Sequence, residues 1–281
     1  MLPCLFLLLL TACGQQEQRI NESRPWIHRR DDVPFAETAP KPSDARIADA
    51  DAVDALEKLF NEGRDGECRK RLAEYFAQGG DHPRAHELNG RLLALDRQFE
   101  GAIAAFNRAV AGSPRWIQPR LALADCYVEL DRLGAAASVY AELDRLMPQA
   151  PWGPWGQGLI AARAERRDQA IAFLDEALRR DADHPPSLRL RAWVAIQEGD
   201  AGFAEALLLR YTAQVTDDPV AWTQLGDLAE TGNRLIDAET HLGRAYDLAP
   251  SPKLARRIAQ ICERRGDLAT AAAWTARAGG R

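Results

Sequence analysis

Residues 222–250 read WTQLGDLAETGNRLIDAETHLGRAYDLAP. Small residues stand at Gly226 and Ala238, and bulky ones at Trp222, Leu225 and Leu242. Two antiparallel helices approach closely only where side chains are small, so a Gly or Ala on each marks the crossing. Bulky residues then fill the flanking gaps at helical spacing. Pro250 closes the second helix, because its ring would break a continuing turn. The stretch is therefore predicted to be a helix pair.

The same pattern recurs every 34 residues. The small residue of the second helix falls at Cys68, Ala102, Ala136, Ala170, Ala204, Ala238 and, one residue early, Ala271. On the first helix it falls at Gly90, Ala124, Gly158, Ala192, Gly226 and Ala259, with Leu56 the exception. Four residues after the second-helix position stand Leu72, Phe106, Tyr140, Leu174, Leu208 and Leu242, lapsing to Thr275 at the end. Pro114 and Pro148 close second helices as Pro250 does. Seven copies are expected, about 49–82, 83–116, 117–150, 151–184, 185–218, 219–252 and 253–281, in a domain over 45–281. One pair cannot bury its apolar face alone, so the pairs must stack.

Trp222, Leu225-Gly226, Ala238, Leu242, Ala245 and Pro250, with the period, resemble the tetratricopeptide repeat family. The resemblance implies an all-α solenoid, a right-handed superhelix of antiparallel helix pairs. It also implies a concave groove, lined by the first helix of each pair, that binds partner polypeptides. Counting from the register, the groove is expected to present Trp152, Trp155, Leu159, Arg163, Arg189, Trp193 and Ile196. Aromatics beside arginines are what interaction hot spots use. Copies six and seven place Thr223, Asp227 and Glu230, then Arg256, Gln260 and Glu263, at those positions. PWGPWGQG, rich in Gly and Pro, leaves an alternative open: a helix starting late would turn Trp155 inward as core.

The chain begins with an apolar run from Met1 to about Ala12. Crossing a bilayer takes about 20 apolar residues, so this run fits a cleaved secretory signal instead. Leu10-Thr11-Ala12-Cys13 resembles the lipobox of bacterial lipoproteins. That implies a signal peptide over 1–12 and a lipid-modified Cys13 anchoring the chain in the cell envelope, facing the periplasm. Gly14, where an aspartate would mark the inner membrane, tilts the expectation to the outer one. MLPC, ahead of the leucines, carries no Lys or Arg, unlike most such signals. An ordinary signal, or a short buried helix with an incidental Cys13, is the alternative. Residues 13–44, polar and with Pro25, Pro34, Pro40 and Pro42, are expected to form a tether. Trp26, Ile27, Val33 and Phe35 are its apolar exceptions.

A formal net charge of −5 gives no drive toward nucleic acid. Residues 49–82 hold five basic and nine acidic side chains and residues 251–281 seven and two, expected to be two solvated ends of opposite sign. Cys68, Cys126 and Cys262 show no paired spacing and are expected to be small buried side chains. No phosphate loop, nucleophile elbow, HExxH or CxxC pair occurs, so neither catalysis nor a cofactor is expected. His82 and His86, a helical turn apart, lack a third metal ligand and are expected at the surface.

Together these point to a lipid-anchored scaffold or assembly factor of the envelope that binds other proteins. Lipoproteins similar in plan include pilotins of type IV pilus secretins, adaptors of envelope peptidases and repeat proteins of cytochrome c maturation. Two other readings stand beside it: an enzyme or metal-dependent protein with an unrecognised site, and a soluble cytoplasmic repeat protein whose start is misassigned.

Overall fold

The computed structural model describes residues 47–279. Signal residues 1–12, Cys13 and the tether over 13–44 lie outside the described residues. Those described form fourteen α-helices and no strand. In pairs, they are α1 (Ile47–Asn61) and α2 (Asp65–Ala77), α3 (Pro83–Leu95) and α4 (Phe99–Gly112), α5 (Gln118–Glu129) and α6 (Leu133–Leu146). Next come α7 (Trp152–Arg163) and α8 (Arg167–Arg180), α9 (Pro185–Glu198) and α10 (Ala201–Gln214). The last two pairs are α11 (Pro219–Thr231) with α12 (Leu235–Leu248), and α13 (Pro252–Arg265) with α14 (Leu268–Ala278).

Local chemistry sets where these helices start and turn. Pro83, Pro185, Pro219 and Pro252 each open a first helix, where a missing N–H would have had no intrahelical partner anyway. Between the two helices of every pair one residue turns left-handed, with φ from 56° to 83°: Gly63, Arg97, Asp131, Glu165, Gly199, Asn233 and Gly266. Three of the seven are glycine and one is asparagine, the residues that enter this region most easily.

Packing follows the small-residue register. Cys68, Ala102, Ala136, Ala170, Ala204 and Ala238 are fully buried, and Ala271 nearly so. A Cβ at Gly90 would meet the Phe106 ring at 2.5 Å, and one at Gly226 would meet Leu242 at 2.5 Å. The two helices of a pair thus touch where the small residue faces the large one. At the end of the array Thr275 is exposed, and Trp274 (8% exposed) takes the large residue's place. Its ring stands edge-on to Tyr246 at 5.2 Å, with Arg277 stacked over it at 4.3 Å.

The described residues divide into two compact units, one that ends at Ala164 and holds α1–α7, and one that begins at Glu165 and holds α8–α14. Val53, Leu56, Phe60, Leu72, Leu88 and Leu92 form one core of the first, and Phe106 packs with Ala122 and Cys126 in another. In the second, Leu188, Leu208, Tyr211 and Leu225 form one core, and Leu242, Ile258, Ile261 and Trp274 another. Among the described residues, no helix is long and apolar enough to cross a membrane.

The charged ends are not merely solvated. Arg84 of α3 binds Asp54 and Glu57 of α1, and Arg257 of α13 binds Asp227 and Glu230 of α11. In both clamps the arginine follows its carboxylates by 30 and 27 residues (84 − 54 and 84 − 57; 257 − 227 and 257 − 230). Arg264 also binds Glu230 at 2.7 Å, and Arg265 binds Glu239 at 2.8 Å. Much of the basic excess of 251–281 is therefore paired with the preceding helix pair.

Candidate functional site

The groove residues expected from sequence fall four on α7, in the first unit, and three on α9, in the second. The helix α7 begins at Trp152, so the Gly- and Pro-rich stretch does not delay it. Trp152 and Arg163 are half-buried at its two ends. Trp155 and Leu159 are each 4% exposed, which corrects the expectation of an open indole at 155. The Trp155 ring stands edge-on to buried Tyr140 at 5.8 Å and to Trp152 at 6.4 Å. A side chain at Gly156 would overlap Tyr140, so this glycine lets α7 settle on that ring.

On α9, Trp193 and Ile196 are half-buried, and Ile196 packs on the Leu188–Leu225 core. The Trp193 indole nitrogen is buried with no hydrogen-bond partner among the described residues. Arg189 is not an open cation, a second correction. Its guanidinium donates to Asp218 Oδ2 and lies over the Tyr211 ring at 5.8 Å. Tyr211 donates to the same oxygen at 2.9 Å, while Asp218 Oδ1 accepts the backbone N–H groups of Val220 and Ala221 at 2.9 and 3.2 Å. One carboxylate thereby ties α9, α10 and the start of α11 together. Burial is the main force holding the Tyr211 phenol above its ordinary pKa.

An equivalent node joins the first two pairs. Tyr75, like Tyr211, stands seven residues after the small residue of its helix (75 − 68 and 211 − 204). Its hydroxyl donates to Asp49 of α1 and accepts the His82 N–H at 3.1 Å. Burial pushes the Tyr75 phenol up to about 12. Sequence reasoning missed both nodes, although two tyrosines in one register position were the available signal. It also named Asp227 and Glu230 among the polar residues of the groove without seeing that Arg257 pairs with both.

The histidines are a third correction: His82 and His86 are buried, each 4% exposed. His82 Nδ1 accepts the Arg84 N–H at 3.2 Å, capping α3. His86 stacks on Phe76 at 4.9 Å and meets Asp81 at 2.6 Å. No group of three or more His, Cys, Asp or Glu among the described residues could hold a metal ion. The three cysteines there are fully buried, as small core side chains should be.

The sequence model of the tetratricopeptide repeat family matches residues 50–115 and 223–279. Both stretches are tetratricopeptide repeats. No curated protein sequence matches the chain. Solved structures share the fold of the repeats at low identity. The Cut9–Hcn1 hetero-tetramer of the APC/C superposes with a TM-score of 0.60 at 14% identity, covering 79% of this chain and 44% of that one. The chain thus spans less than half the length of that relative. PilF of Pseudomonas aeruginosa gives 0.58 at 15% identity, covering 72% of this chain and 92% of that one. PilW, described as a widely conserved type IV pilus biogenesis factor, gives 0.58 at 13%, with 73% and 94% covered. At these identities the likeness speaks to the fold. Nothing in the repeats or in the described side chains indicates catalysis.

Proposed function

We propose that the chain is a scaffold that binds partner polypeptides along its first helices, held in the cell envelope by a lipid on Cys13. One observation carries the binding surface. Trp152 and Trp193 are half-exposed on first helices, while Arg189, Arg84 and Arg257 nearby in sequence register are committed to ion pairs within the chain. Aromatic side chains of this kind supply contact area with little loss of rotamer freedom, as interaction anchors do. Repeat arrays stack pairs into extended surfaces suited to such contacts. PilF and PilW share the fold, so a role in assembling an envelope machine such as a pilus fits this reading.

The test separates binding from packing. Trp152→Ala and Trp193→Ala should leave the urea midpoint nearly unchanged and weaken partner crosslinking in intact cells about thirtyfold, near 2 kcal/mol. Trp155→Ala, a core truncation, should cost ~3–5 kcal/mol of stability. Full capture by both exposed-tryptophan variants would move the site elsewhere.

A further inference from the structure

We propose that the buried histidines opening α3 and α9 form an acid-sensitive latch, holding each first helix in place while neutral and releasing it once protonated. Three first helices begin with the same motif: Asp81-His82-Pro83, Asp183-His184-Pro185 and Asp217-Asp218-Pro219. At α11 the capping group is the Asp218 carboxylate, whose negative charge suits the positive end of a helix. At α3 the cap is an imidazole, and Nδ1 can accept the Arg84 N–H only while it carries no proton. Protonation removes that acceptor and places a cation at the positive helix end. His184 stands at the same position before α9, 3% exposed; it caps no backbone N–H, and its Nδ1 lies 2.7 Å from Ser187 Oγ in the first turn of that helix. Burial alone pushes its pKa down to about 3.

Charged groups of both signs surround the two imidazoles. Near His82 stand Asp49 on α1, held by Tyr75 of α2, and Arg84 on α3, held by Asp54 and Glu57. Asp81 engages His86, which is left unaltered below. The helix α4 approaches here through Gly112, against Pro83. Near His184 are Arg180 at the end of α8, Asp181 and Asp183 in the loop, and Arg210 of α10, which binds Asp183 at 3.0 Å. Asp181 Oδ1 already accepts the Asp183 N–H at 3.1 Å.

The sign follows from where the proton binds. A histidine neutral in the folded chain and titrating near 6.5 in the unfolded one contributes fully above about pH 6.5, and its contribution is lost as the pH falls toward 3. Between pH 7.5 and 5.5 each such histidine raises the unfolding constant roughly tenfold.

The experiment is urea unfolding of the full chain at both pH values, for wild type and for the double variant His82→Asp/His184→Asp, which installs the residue used at 218. His82→Asn/His184→Asn serves if buried aspartates prevent folding. On acidification wild type should lose at least roughly tenfold more in its unfolding constant than the variant, the effect expected of His184 alone. Equal pH dependence in both would overturn the proposal. So would imidazole NMR signals of His82 and His184 that titrate near pH 6.5 while the chain remains folded.

Discussion

A single methyl group distinguishes two kinds of glycine in this chain. Gly226 faces Leu242 across a helix crossing, and its missing side chain is what lets α11 and α12 meet. Gly134 sits in α6 with nothing within 4 Å of where a Cβ would go. Gly226→Ala should therefore destabilise by ~1–3 kcal/mol through overpacking. Gly134→Ala should raise stability by about 0.5 kcal/mol, since alanine loses less backbone freedom on folding. Thermal melts of the two variants check both signs. The small-residue register that singles out Gly226 is visible in sequence because close approach leaves little chemical choice. Ala221 shows the limit: it lies outside the repeating small set, yet it is fully buried in the α9–α11 core. Its burial comes from a neighbouring pair, which no local pattern encodes.

At the scale of helices, the two tyrosine nodes are joints between pairs where a phenol binds a carboxylate. The corresponding residues elsewhere, Ala109, Leu143, Ala177 and Ala245, are apolar fillers. Removing the Tyr211 hydroxyl takes one donor from an ionised carboxylate, so Tyr211→Phe should cost about 1–2 kcal/mol in urea unfolding. Tyr246→Phe, where the ring packs on Trp274 and no hydroxyl bond is seen among the described residues, should change almost nothing. Helix existence and order were legible because a 34-residue period repeats its signal many times over. Side-chain exposure on α7 and α9 was not. Whether Trp155 faces out or onto Tyr140 turns on one residue of register, and whether Arg189 is available turns on Asp218, 29 residues away (218 − 189). Trp274 escaped for a related reason: it stands three residues after Ala271 (274 − 271), where the other copies place the large side chain four after the small one.

For the molecule as a whole, the proposed anchor carries the largest consequence, since it decides where the scaffold works. A thiolate at Cys13 is the group that a lipid chain would be joined to, so Cys13→Ser should leave the protein soluble or unprocessed on cell fractionation. Membrane-bound serine variant of wild-type size would remove the lipoprotein reading while leaving the helical array untouched. The remaining cysteines have a different part to play. Cys68, Cys126 and Cys262 sit in the first, third and last helix pairs, all with their sulfurs sealed away from water. Burial pushes the Cys68 and Cys262 thiols up to about 11, which suppresses the thiolate that oxidants attack. The Cys68 and Cys262 thiols should thus resist oxidants while their own stretch is shut and react only when it opens.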